Sequence, residues 1–462
     1  MDTDSHRISP AQLRFVRITG LLGEFEHEFE FPQNWSFVIL HGPNGVGKTK
    51  LLQLIRATID ADPSTISSIP FEAADMSFSD GTTISVARSG QAALPELESD
   101  YDLVLAPITA RMTRGGRTID EWRPAPLEPR NLAGFSRQIS MEYPFLTRIE
   151  RGLWRDIRYD RLYDTRALVS RYPGLKRFLR EDQSDLGDGG ERIRNYLATM
   201  RVHLIETQRL LLAEPSDRSN AIDRGLIPRV ETFAEDLTKR LSIALAHNSR
   251  TSQKLDRSFP RRLLQVQEGD IQVTEETIRR RYEEQSNQRT KLANIGVLDG
   301  AEDLPLPTRE LQPWERRVLW NYLEDTSEKL RTFDELLGKV ELLMEIVNSR
   351  FINKELRIDP AVGFQFITRR GTKLRPDQLS SGEQHELVLV YDLLFNAARG
   401  SLVLIDEPEI SLHVAWQQKF LDDLSRIADL TSVRFVVATH SPQIIHKWWE
   451  RAVGLDGGVV GP

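Results

Sequence analysis

Leu379-Ser380-Ser381-Gly382-Glu383-Gln384 decides the fold, because it makes sense only together with two other stretches. Upstream, Gly42-Pro43-Asn44-Gly45-Val46-Gly47-Lys48-Thr49 matches G-x-x-x-x-G-K-[ST]. In such a loop consecutive backbone N–H groups turn inward onto phosphate oxygens at the positive end of the following helix. Lys48 is then expected to reach the β- and γ-phosphates, and the Thr49 hydroxyl to ligate Mg²⁺. Downstream, Leu402-Val403-Leu404-Ile405-Asp406-Glu407 is an apolar strand ending in two carboxylates. Asp406 is placed to hold the Mg²⁺ shell and Glu407 to polarise the attacking water. A strand at 36–40 and a helix at 50–59 give the phosphate loop the context it needs. The chain is therefore expected to bind ATP and Mg²⁺ at a site whose parts lie more than half its length apart.

The bulk numbers narrow the setting. At 462 residues the chain is too long for one ordinary core and suggests two or three lobes. An apolar fraction of 40% suffices for globular packing, while 28% charged residues suggests much exposed helix. The net charge of −7 means that any nucleic-acid contact needs a local basic patch. With no cysteine, disulfides, thiol catalysis, zinc-thiolate sites and iron–sulfur clusters are excluded. Neither a secretion signal nor a membrane span is evident, so a soluble, cytoplasmic protein without a membrane partner is expected.

Along the chain, residues 13–19, 25–31, 82–87 and 103–107 read as strands. From 111 to 190 the pattern weakens into Pro, Gly and Arg, with a short helix expected near 175–179. Residues 232–248, 274–292 and 311–347 have helical spacing, the last with nearly one apolar seam. The stretch 297–309, with Gly300, Pro305 and Pro307, reads as the turn between two antiparallel arms. Beyond 359 strands and helices alternate again, with strands at 364–368, 402–405 and 435–438 and helices at 383–398 and 414–427. The expected division is an ATPase lobe at 1–208 with an irregular basic insertion at about 111–190, a helical arm at 209–350, and a second ATPase lobe at 351–462.

These motifs, in this order, resemble an ABC-type ATPase head: an α/β fold, with a mixed sheet, flanking helices and a P-loop. Head, arm, head is the ordering of the SMC and RecF type, with a coiled-coil-like arm inserted. The resemblance implies that Ser380, Ser381, Gly382 and Glu383 form a signature loop that covers nucleotide held by a second copy, so that the heads pair. It also implies a switch histidine, matched by His440 after Thr439, and a glutamine that ligates Mg²⁺ and couples nucleotide to the arm, matched by Gln208. Ser411-Leu412-His413 occupies the place of the loop through which paired sites communicate, but departs from S-x-L-D. Glu409 reads as structural or a weak helper.

The runs 379–386, 405–413 and Thr439-His440-Ser441-Pro442-Gln443 further resemble the overcoming-lysogenization-defect branch of these ATPases. Ser252-Gln253-Lys254-Leu255-Asp256-Arg257-Ser258-Phe259-Pro260-Arg261 is similar to a segment of the ATPase subunits of Septu (PtuA) and related retron systems, with the PARIS ATPases the nearest rival. The chain stops about twenty residues past His440, where nucleases of that branch continue into a metal-binding domain. The resemblance thus implies an ATPase of bacterial anti-phage defence, dimeric or of higher order, controlling a separate effector, a nuclease. A DNA repair or recombination ATPase of RecF type is the alternative, and a transporter motor is disfavoured by the charged arm. The stretch 148–180 interleaves basic residues with Trp154, Tyr159, Tyr163, Tyr172 and Phe178, a mix suited to nucleic-acid or effector contact and equally to a solvated, salt-bridged insertion. Nine scattered histidines form no nuclease centre.

Overall fold

A computed structural model describes residues 11–88, 108–124, 139, 143, 145–150, 153–156, 161–164, 168, 188–205, 211–212, 227–265, 273–298 and 305–455. The chain forms two compact units, one of residues 1–207, 214–224 and 397–462, the other of 208–213 and 225–396. The fold is that of an ABC-type ATPase head with a helical arm. The expected boundary at 350 lies elsewhere: residues 351–396, signature loop included, fall in the unit that carries the arm. The physical reason is local packing, since both their short sheet and the signature helix contact the arm helix Arg229–Gln265.

Among the described residues the first unit holds two large sheets and a small one. In the parallel one the strand order is Val202–Ile205, Leu402–Asp406, Arg434–Thr439, Phe37–His41, Ala452–Gly454. Its central strands are continuous apolar runs, as expected of strands covered on both faces. The other large sheet is antiparallel, in the order Asp188–Gly189, Arg117–Arg123, Ile108–Arg114, Thr82–Arg88, Ala73–Phe78, Leu13–Leu21, Phe25–Glu30. The helix Lys48–Ile59 buries Leu51, Leu52, Leu54 and Ile55 in one cluster with Val16 and Ile18 of the antiparallel sheet and Leu40, Leu404 and Val436 of the parallel one. Each such buried side chain contributes roughly 1.5–3 kcal/mol of transfer free energy.

Arg434 ties the sheets together. It is 9% exposed, donates to the carbonyls of Leu13, Phe31 and Pro32, and lies 3.4 Å from the centroid of the Phe31 ring. Burial, with Arg14 nearby, pushes its guanidinium down to about 10.

Part of the stretch expected to be irregular is ordered sheet. Ile108–Arg114 and Arg117–Arg123 pair as a hairpin around Gly115 and Gly116, whose φ of 57° and 76° lie in the left-handed region that tight hairpins need. The strands Leu146–Glu150, Leu153–Asp156 and Arg161–Asp164 form a small antiparallel sheet. Trp154 in its middle strand is fully buried, so it offers no stacking surface to a ligand. The expected strand at 103–107, the helix at 175–179 and most of the basic stretch 148–180 lie outside the described residues.

In the second unit the arm comprises four helices, Arg229–Gln265, Glu275–Asn294, Pro313–Arg331 and Asp334–Arg350. Asn248 donates to the Lys329 carbonyl, Lys329 to Asp256, and Arg262 pairs with Asp325, so the first and third helices run antiparallel. Leu311 N donates to Glu275, Gln285 to the Leu323 carbonyl, and Gln288 to Asp334, so the second and third run the same way. The turn expected at 297–309 therefore does not separate two antiparallel arms. Gly296 lies against Pro360, while the Pro307 and Arg309 carbonyls accept from Arg279 near the start of the second helix. The seam expected across 311–347 is broken at Thr332–Phe333, where Phe333 is buried and starts the last helix.

At the foot of this unit lies the sheet Lys354–Asp359, Gly363–Thr368, Lys373–Leu374. Tyr391 packs among Phe233, Phe364 and Phe395 and donates its hydroxyl to Asp236 at 2.7 Å. Burial and that carboxylate push the phenol far above its usual range. Gly363, at φ +76°, brings its backbone against the Ala234 carbonyl, which a Cβ would overlap. Gly363→Ala is expected to destabilise the protein by about 2–4 kcal/mol, from backbone strain plus overpacking. Gly371→Ala, at φ +80° but in open space, should cost only about 1–2 kcal/mol. Denaturation midpoints of the two variants by circular dichroism check the difference.

Candidate functional site

The site of the first unit lies at the C-terminal ends of the parallel strands. The register sets Asp406 beside Ala438, Ala438 beside Leu40 and Thr439 beside His41, so the phosphate loop, the acidic strand end and the histidine turn emerge together. Gly45 and Gly47 have φ of 93° and 87°, and Gly47 caps the helix Lys48–Ile59. A Cβ at Gly47 would press on Leu21 at 3.0 Å, so the loop is seated closely on the first strand. His27 supports it from below: buried, it donates its Nε2 proton to the Val46 carbonyl at 2.7 Å. Nothing periodic in the sequence marks His27 for this task. The only signal is its inward position in an alternating strand.

Lys48 is 4% exposed, and its ammonium donates to the carbonyls of Gly42 and Pro43 at 2.8 and 2.9 Å. Thr49 Oγ1 donates to Asp406 Oδ2 at 2.8 Å, joining residues 357 positions apart. Burial raises the Asp406 carboxyl, with Glu407 and Glu409 adding repulsion against the Thr49 bond and Lys48. Glu407 sits in the left-handed region at φ 42°, its amide donating to the Ala438 carbonyl. Such a conformation is costly for a residue other than glycine, and strain of this kind concentrates at functional positions.

Thr49 and Asp406 are hard oxygen donors side by side, which fits a magnesium ion that completes its shell with water and substrate phosphates. No cluster of three or more His, Asp or Glu suited to a metal exists among the described residues. Gln208, the third expected ligand, lies outside the described residues.

His440 faces Glu407 at 3.8 Å and Glu409 at 3.1 Å. With Gly42, Pro43, Asn44, His41, Pro442, Ile445 and Trp449 it lines an open cavity of about 330 Å³. Glu409, read from sequence as structural or a weak helper, is the best connected carboxylate of the group. The chain at 411–413 turns into the helix Val414–Thr431, whose first amides meet the His413 ring.

The signature loop, in the second unit, is a helix cap. Ser380 and Glu383 bond reciprocally, Ser380 Oγ accepting from the Glu383 amide and Glu383 Oε2 from the Ser380 amide at 2.9 Å. Lys354 grips both Glu383 oxygens at 2.7 and 2.8 Å. Burial would raise Glu383, but Lys354 and Ser380 prevail and hold it low. Its carboxylate is thus engaged in holding the turn. Ser380 and Ser381 are exposed, and the space above Gly382 is open, leaving this helix end accessible. Arg350 and Glu386, both buried, pair and join the arm's last helix to the signature helix.

With this geometry in place, comparison with known proteins is informative. The family model described as "AAA domain, putative AbiEii toxin, Type IV TA system" matches residues 147–446. The chain belongs to this family. This AAA-family chain is also 29% identical over 139 residues to the "Retron Ec83 probable ATPase" of Escherichia coli, across 27% of the chain and 25% of that relative. It is 30% identical over 86 residues to the "Phosphonates import ATP-binding protein PhnC" of Bacillus cereus, across 19% of the chain and 32% of the relative. It thus spans about a quarter to a third of the curated relatives' length. Among solved structures, the Smc head domain from Pyrococcus furiosus bound to the C-terminal domain of ScpA aligns over 96% of this chain and 93% of that one. Identity is 13% and the TM-score 0.34, too low to carry an argument.

The buried Asp406 makes one expectation specific. A carboxyl raised on folding lowers stability wherever it is ionised, fully so above its folded value and not at all below its unfolded one. Asp406→Asn should therefore raise the thermal midpoint of the nucleotide-free protein at neutral pH, the gain vanishing below about pH 4, while Mg²⁺-dependent ATP turnover is lost. Melting curves across pH, alongside phosphate release, check both halves.

Proposed function

We propose that this protein binds ATP with Mg²⁺, hydrolyses it slowly at sites shared between two paired copies, and acts as the ATP-responsive regulatory subunit of a bacterial anti-phage defence complex. The observation that carries the ATPase part is the Thr49–Asp406 bond, which closes the phosphate loop onto the acidic strand end beside buried Lys48. Lys48 and the amides of 44–49 bind the phosphates, and Thr49, Asp406 and Gln208 hold the ion. Magnesium, once bound, offsets phosphate charge. Glu407 takes a proton from the attacking water, and His440 contacts the terminal phosphate.

The accessible turn Ser380-Ser381-Gly382 supports the shared-site part, because exposed amides at a helix start suit a phosphate presented by another copy. The defence reading is supported by the partial likeness to the retron ATPase and by the family's description. In it the chain works in the cytoplasm and governs a separate effector, a nuclease of the Septu or retron kind. No described helix is long and apolar enough to cross a membrane.

Lys48→Ala should abolish ATP binding in a folded protein. Glu407→Gln keeps shape and a hydrogen bond but removes the base, so ATP should still bind while turnover falls by roughly 100-fold or more. Ser381→Arg should block pairing while each monomer still binds ATP. A mixture of Lys48→Ala and Ser381→Arg chains then regains at most one competent site per pair. ATP turnover and sedimentation of each variant and of the mixture check the scheme; a monomeric Ser381→Arg protein with normal turnover would overturn the shared site. Co-purification with the product of an adjacent gene tests the effector, whereas tight ATP-dependent DNA binding by the protein alone would favour a repair ATPase.

A further inference from the structure

Beyond Glu407 and His440, one side chain of the site is held more tightly than its expected role requires. Glu409 Oε1 accepts from Thr439 Oγ1 at 2.6 Å and from the His440 amide at 2.8 Å, and lies 3.1 Å from His440 Nδ1. The carboxylate is 8% exposed, and its Oε2 has no hydrogen-bond partner among the described residues. Its charge is therefore little screened by water and acts at short range on the imidazole.

The neighbourhood is built around this contact. Thr439 Oγ1, while donating to Glu409, accepts from the Ser441 amide at 3.0 Å. Gln417 bonds the Glu409 and Leu412 carbonyls through Nε2, at 3.3 and 3.1 Å, and accepts from Ser441 Oγ at 2.9 Å. The turn after Asp406 and the turn after the strand Arg434–Thr439 are thereby pinned twice to each other. A carboxylate serving only to cap a turn would not need the side chain of the next strand's histidine.

We propose that Glu409 is the positioning residue of the switch, holding His440 by backbone and ring so that Nε2 is turned to the cavity in which the terminal phosphate lies. The inference rests on the ATPase reading above. Its chemistry follows from the two ring nitrogens being distinct: the bond made at one sets what the other can do. Nδ1 lies 3.1 Å from Glu409 Oε1, which leaves Nε2 to the cavity that His440 lines with Gly42, Pro43 and Asn44. Glu407 Oε1 lies 3.8 Å from Nδ1 as well. Glu409 itself touches no substrate and acts through His440.

The test uses the full chain and four proteins: the natural protein, Glu409→Gln, His440→Ala and the double variant. Glutamine preserves the acceptor and the volume but removes the charge. Turnover of Glu409→Gln should fall by roughly 10- to 100-fold, by analogy with carboxylates that orient metal-bound histidines. Nucleotide affinity and KM should move by less than about threefold, because only the hydrolytic step needs the placed histidine. The double variant should be no slower than His440→Ala, since residues acting through one another are not additive. Turnover of Glu409→Gln within about twofold of the natural protein, or losses that multiply in the double variant, would overturn the positioning role. Normal turnover by His440→Ala would sink both this inference and the place of His440 in the ATPase reading, whereas failure of Glu409→Gln alone leaves that reading intact. Should glutamine at this buried position prevent folding, Thr439→Val provides the second probe. It removes one of the two hydrogen bonds to Oε1 and should lower turnover by about threefold or more with unchanged affinity, and do nothing further in a His440→Ala background.

Discussion

Everything at the site depends on the register of three parallel strands. Phe37–His41, Arg434–Thr439 and Leu402–Asp406 lie side by side with their C-terminal ends level. In open parallel sheets ligands bind just beyond that edge. Slipping one strand by a single residue would turn its side chains to the other face and carry its functional residue away. The all-apolar interior of these strands guards against this. Each is buried on both faces, and the bulk of Phe37, Phe435 and Leu404 is enclosed on either side.

The polar residues at that edge have an uneasy electrostatic balance. Asp406, Glu407 and Glu409 crowd within one turn, and burial raises Asp406 further. The nearby cation, Lys48, is bonded to loop carbonyls. A divalent ion would relieve this excess of negative charge, and Thr49 and Asp406 offer the site oxygen donors for one. Strain at Glu407 adds to the cost of the arrangement, which the surrounding apolar core has to sustain.

The phosphate loop, the strand Leu402–Asp406 and the helix Val414–Thr431 were legible in the sequence because each is a local pattern: glycine spacing, an apolar run, a 3.6-residue period. What was not legible depends on contacts between distant segments. His27 under the loop and Glu409 beside His440 look ordinary in sequence, and only the sheet brings their partners near. The hairpin at Gly115-Gly116 did carry a readable turn signal, obscured by surrounding arginines and prolines. The stretch 297–309 reads as a turn between antiparallel arms because Gly and Pro gather there, yet the helices on either side of it run the same way. Residues 351–396 were assigned by motif order, whereas packing against Arg229–Gln265 groups them with the arm.

The position of the strand Phe37–His41 has a consequence for how the molecule is made. Its two neighbours, Arg434–Thr439 and Ala452–Gly454, both come from some four hundred residues further along the chain. During synthesis the strand before the phosphate loop emerges well ahead of both its partners, and has no sheet to join until residues 434–454 have left the ribosome. Such long-range pairing is slow to form, and an early apolar strand stays exposed in the meantime. The arm, whose helices contact one another at short range, can fold first and draw the two distant halves together. A chain cut short of residues 434–454 thus carries a full phosphate-loop sequence without the sheet that seats it.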